Sequence, residues 1–79
     1  MRGLHARASA KFVAVANSFD AEVKVAHLEG QVSGHSIMGL MMLGAGCGDE
    51  IAISAEGRQA AEAVDTLIRL VADLFGEKE

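Results

Sequence analysis

The chain has 79 residues, a formal net charge of −4 and a single cysteine, with 51% hydrophobic residues but only three Phe and no Trp or Tyr. That length supports one small domain, residues 1–79, whose core lies near the lower limit for independent folding, and so apolar a composition argues against disorder. It excludes an internal disulfide, a zinc site built on Cys47, a membrane-spanning or signal segment, and a basic surface with stacking aromatics for nucleic acid; a cytoplasmic, protein-binding domain without cofactor or metal is expected.

From Ala6 to Asn17 two stripes recur at helical spacing, Ala6, Ala10, Val13, Ala14 and Asn17 beside Ala8, Phe12, Val15, Ala16 and Phe19. They predict a helix that packs one face and leaves Ser9 and Lys11 in water. Asp20 and Ala21 lead into Glu22 to Leu28, where Val23 and Val25 alternate with Glu22 and Lys24 as in a strand with one buried face. Glu29-Gly30 reads as a turn, and Gln31, Val32 and Ser33 as the returning strand.

Ser36 to Leu43 is apolar on nearly every side, with Ser36 a good N-cap for a short helix that Gly44, Gly46 and Gly48 end. Glu50 to Ser54 alternates again, with Ile51 and Ile53 on one side, and a turn follows at Glu56-Gly57. From Arg58 to Phe75 the residues Ala61, Val64, Leu67, Ile68, Val71, Leu74 and Phe75 recur every three or four positions and predict a long amphipathic helix, beyond which the tail at 76–79 should fray. The order is helix, strand, strand, short helix, strand, long helix, with no internal repeat. This is an α+β pattern, and the simplest burial sets three helices on one face of an antiparallel sheet.

The segment Leu4-His5-Ala6-Arg7-Ala8-Ser9 places an imidazole where the first helix begins. The first N–H groups of a helix lack intrahelical partners and carry partial positive charge, so a phosphoryl group on the His5 ring could be held there, with the Arg7 guanidinium as a further donor. The plainer reading is a polar residue at a helix start with no chemistry. A stand-alone catalyst is disfavoured, because no carboxylate is evidently placed to orient His5. A carrier needs only an exposed ring nitrogen, donors that tolerate the charge and an open rim for its partners. His27 and His35 read as surface or turn residues, since neither stands at a predicted helix start with an Arg two positions on, and Cys47 reads as a loop thiol.

Three separated segments, Gly3-Leu4-His5-Ala6-Arg7, Ser36-Ile37-Met38-Gly39-Leu40 and Ile53-Ser54-Ala55-Glu56-Gly57, give the chain a resemblance to HPr, the histidine-containing phosphocarrier family of the phosphoenolpyruvate-dependent phosphotransferase system. The form His-Ala-Arg-Ala-Ser-Ala-Lys-Phe-Val with the Met-rich short helix looks most like the alphaproteobacterial, nitrogen-related members. The resemblance implies an open-faced sandwich, with three strands here against four in the family. It implies that His5 accepts a phosphoryl group on Nδ1 from phosphorylated enzyme I and passes it to a IIA-type protein, that Arg7 neutralises the phosphoryl oxygens, and that Ala6, Ile37, Met38 and Met41 dock partners.

Ser36 matches the position that takes a regulatory phosphate in members with an HPr kinase/phosphorylase; such a phosphate would suit the helix start while placing roughly two negative charges near the docking surface. A plain N-cap explains the same serine. Ile37, Leu40 and Leu43 read as core, while Met38 and Met41 fall on a face the family leaves exposed; the alternative buries them all. Two departures stand out. Family members carry a further segment before the active-site glycine that forms an edge strand, so the strand over Glu50 to Ser54 should present unpaired backbone groups and invite a strand-exchanged dimer. Ala8 stands where many members have Pro, and the loss of that ring, which presets the backbone of a first helical turn, would loosen the His5 loop slightly. The competing function is a regulatory HPr-like module that docks through Met38 and Met41, is controlled at Ser36 and carries nothing on His5. A metal-binding domain using His5, His27 and His35 lacks any ligand spacing.

Overall fold

The computed structural model describes residues 6–27, 30–43 and 51–76. Three helices, α1 (Ala6–Ala16), α2 (Ile37–Leu43) and α3 (Ala60–Gly76), accompany three strands, β1 (Glu22–His27), β2 (Gly30–Ser33) and β3 (Ala52–Glu56). The sheet is antiparallel in the order β2-β1-β3. All three helices pack on one of its faces: α2 lies over β2 and β1, α3 over β3 and β1, and α1 spans the two helices.

Alternation along β1 sets the layers. Val23 and Val25 are fully buried and Glu22 and Lys24 exposed, and the register brings Val25 opposite both Val32 and Ile53, and Val23 opposite Ala55, so these side chains form the floor of the core. Phe12, Ala16, Leu40, Ala63 and Leu67 close it from the helix side, and Phe12, Leu40 and Leu67 are the largest side chains it encloses. Fully burying a side chain of that size contributes about 1.5–3 kcal/mol over leaving it in water.

Several expectations need correction. Ser9, placed in water by the sequence pattern, is fully buried, because it falls on α1 between the rows of Ala8 and Phe12 and of Val13 and Ala16. A small hydroxyl fits that seam, and no buried side-chain polar atom among the described residues is left without a partner. Of the two α1 stripes it is the one containing Ala8, Phe12 and Ala16, joined by Val13, that faces inward; Ala10, Ala14 and Asn17 are exposed. Strand β3 runs two residues later than expected, since its ladder with β1 extends from Ala26 opposite Ala52 to Glu22 opposite Glu56. Gly57 at φ +129° then turns the chain, and a Cβ there would sit 2.9 Å from both Ala21 Cα and Asp20 O. In α3 the buried line is Ala63 and Leu67, flanked by Leu70 and Val71, which rotates Ala61 and Ile68 outward.

Ile37, read as core, is also exposed, whereas Leu40 is buried and Leu43 partly so. On its far side from β1, β3 carries no strand among the described residues. The expected residues Leu28 and Glu29 of the hairpin, Gly44, Gly46, Cys47 and Gly48 after α2, Glu50 at the start of the third strand and the tail beyond Gly76 lie outside the described residues.

Candidate functional site

Helix α1 begins at Ala6, and Arg7, in its first turn, has an exposed side chain. The expected acceptor His5 is the residue before that start in sequence and lies outside the described residues. The physical reason for interest in this end stands on α1 itself: the first N–H groups of any α-helix lack i−4 carbonyls, and an anion beside them is favoured. No acidic residue occupies the first turn to compete for those donors.

Helix α2 packs against α1 and brings the second expected element beside it. Ser36 is a true N-cap: its Oγ accepts from the Gly39 N–H at 2.9 Å, and its carbonyl accepts from the Leu40 N–H at 3.0 Å. Gly39 allows a close approach there: a Cβ would come within 3.1 Å of Ser36 Oγ and 3.3 Å of Val32 Cβ, so a larger residue would make the cap and its neighbour give by a few tenths of an ångström. With Leu40 turned into the core, the opposite side of α2 is left to solvent: Ile37 is 41% exposed, Met38 67%, Met41 42% and Met42 79%. Residues at i, i+3 and i+4 share a helix face, so these four side chains form one apolar patch. Met38 and Met41 are therefore exposed rather than core, and Met42 extends the patch beyond the expected set.

One residue without an expected role proves structural. His35, in the turn before Ser36, accepts from the buried Val23 N–H through Nε2 at 3.0 Å, and its Nδ1 lies 2.6 Å from Asn17 Oδ1. This places the proton on Nδ1, which donates to Asn17, and ties the end of α1 and the start of β1 to the turn that leads into α2. The backbone of that turn adds two more bonds, Gly34 N–H to Val23 O at 2.8 Å and His35 N–H to Ser33 Oγ at 3.0 Å. Among the described residues no group of three or more His, Cys, Asp or Glu side chains comes together in a way that could hold a metal ion. No helix among them is long and apolar enough to cross a membrane.

Residues 1–73 match the model of the family described as the PTS HPr component phosphorylation site. The chain is 47% identical over 77 residues to the phosphocarrier protein HPr of Cupriavidus necator, covering 98% of this chain and 86% of that one. The chain belongs to the HPr family. It is also 40% identical over 75 residues to the phosphocarrier protein NPr of Shewanella violacea, covering 95% of this chain and 82% of that one. The fold is likewise that of HPr: a crystal structure of HPr from Thermoanaerobacter tengcongensis superposes with a TM-score of 0.88 at 40% identity, covering 99% of this chain and 88% of that one. Crh of Bacillus subtilis, whose crystal structure is a domain-swapped dimer, superposes with a TM-score of 0.86 at 38% identity, covering 91% of this chain and 83% of that one. As an HPr-family protein the chain is a phosphocarrier of the phosphotransferase system, a group carrier rather than a stand-alone catalyst.

Proposed function

We propose that His5 is the acceptor. Its Nδ1 lone pair attacks the phosphorus of phosphorylated enzyme I, the donor's nitrogen–phosphorus bond breaks as the new one forms, and the phosphoryl group then passes in the same way to a IIA-type protein. The observation that carries this reading is the position of His5 in the chain, directly before the first residue of α1, with the exposed Arg7 guanidinium in the first helical turn. Helix N–H groups and a guanidinium are donors that suit a phosphoryl group without withdrawing the ring from its partners. Ala6, Ile37, Met38 and Met41 form the docking rim in this reading, which fits the exposure of the three α2 residues. Such a protein works in the cytoplasm.

Ser36 is proposed as a site of regulatory phosphorylation by an HPr kinase/phosphorylase, since its Oγ caps α2 at the edge of the exposed patch. A second reading rests on that same geometry: a regulatory module that docks through the patch and carries no phosphoryl group on His5. The outer edge of β3 supports a strand-exchanged dimer, an assembly of the kind found in Crh.

Incubation with enzyme I and radiolabelled phosphoenolpyruvate, followed by acid, separates the two readings. A phosphoramidate on His5 forms and is lost in acid. Label that never appears from phosphoenolpyruvate, together with an acid-stable phosphate on Ser36 after treatment with the kinase, would favour the regulatory module.

A further inference from the structure

We propose that the methionine patch of α2 is a site of reversible oxidation by peroxide, which changes the docking face while sparing the fold; the consequence for docking rests on the carrier reading above. Helix α2 has seven residues, of which three are methionine. These do not share the burial of their helix. Leu40 is fully enclosed and Leu43 packs against the core, whereas Met42, Met38 and Met41 are 79%, 67% and 42% exposed. The anchoring side chains are thus aliphatic and inert to peroxide, and the oxidisable ones all lie on the solvent side.

The reaction is a two-electron oxygen transfer. A thioether lone pair attacks one peroxide oxygen, the O–O bond breaks, a sulfur–oxygen bond forms and water leaves; the sulfur is oxidised and the peroxide reduced. The product replaces a flexible apolar side chain by a polar, chiral sulfoxide. At a buried methionine that change would disrupt packing. Here it falls on a patch whose apolar surface is already in water, so its cost appears only when a partner must desolvate the sulfoxide oxygen. Sulfoxide reductases, one for each epimer, return the sulfur to the thioether with a thiol as reductant.

The test treats the full chain with graded hydrogen peroxide and maps oxygen by peptide mass spectrometry, alongside thermal unfolding and the rate of phosphoryl acceptance from enzyme I. Oxygen is expected on Met42 and Met38 before Met41, with a retained unfolding transition, a several-fold slower acceptance, and recovery of the rate after treatment with both reductases and dithiothreitol. The variant Met38→Leu/Met41→Leu/Met42→Leu, compared only with itself before and after peroxide, should not respond, which removes Met1 and Cys47 as causes. Oxidation that occurs only together with unfolding, or an oxidised chain that accepts at an unchanged rate, would overturn the proposal. An untreated chain that accepts nothing would sink the carrier reading instead, and the oxidation map with the unfolding curve would still decide the site.

Discussion

The His35 imidazole takes the N–H of Val23 at 3.0 Å, and the Gly34 N–H returns a bond to the Val23 carbonyl at 2.8 Å. Both backbone groups of one fully buried residue at the start of β1 are therefore held by the turn that leads into α2. His35→Ala leaves the Val23 N–H unpaired in the core, which costs about 1–3 kcal/mol. Urea unfolding should show that loss, and amide exchange at Val23 should quicken before exchange elsewhere in β1. An unchanged midpoint would mean the imidazole adds nothing to stability.

Ser36→Ala removes the acceptor of the Gly39 N–H and should cost about 1 kcal/mol, the usual worth of an N-cap. Ser36→Asp keeps an N-capping oxygen and should recover most of that loss. Exchange at the Gly39 amide reports the cap directly: fast in the Ala variant, protected in the wild type and in the Asp variant.

The two sides of α2 should separate stability from docking. Leu40→Ala, in the closed core, should cost about 2–5 kcal/mol. Met38→Ala, on the exposed patch, should stay within about 0.5 kcal/mol of wild type while raising the KM for enzyme I. Equal effects of the two on stability would contradict the assignment of the patch as a docking surface free of the core.

Arg7→Ala removes a guanidinium from the first turn of α1 without touching the core. A hydrogen bond to a charged group contributes about 1.5–3 kcal/mol, so the rate of phosphoryl acceptance should fall about tenfold to a hundredfold. The urea midpoint should move little, because Arg7 is exposed. Lys at this position keeps charge but not the fork of donors and should recover only part of the rate.

The legible parts of the fold were those that local period decides. Val23 and Val25 against Glu22 and Lys24 announce a half-buried strand, and Ser36 before an apolar run announces a capped helix, and both stand where expected. Period does not say where pairing stops, and alternation alone ends β3 two residues early: Ile51, Ile53 and Ala55 continue one inward line, and only the Gly57 turn against Asp20 and Ala21 fixes its end. Nor does it resolve overlapping stripes: the pattern puts Ser9 in water and Ile68 in the core, and the fold has the reverse. The role of His35 could not be read locally at all, since its two partners, Asn17 and Val23, lie 18 and 12 positions away. For the site, the helix start and Arg7 come from the residues themselves, while the exposure of Met38 and Met41 is suggested only by the resemblance to HPr, beside an equal alternative that buries them, and the packing of Leu40 decides between the two.

Whether His5 carries the phosphoryl group is measured directly by intact mass. Wild type and His5→Ala are incubated in parallel with enzyme I and phosphoenolpyruvate, and a circular dichroism spectrum confirms that the variant is folded. Wild type should gain one phosphoryl group and lose it on acidification, and His5→Ala should gain none. An equal gain in the folded variant, or none in wild type while another HPr in the same mixture is phosphorylated, would contradict it.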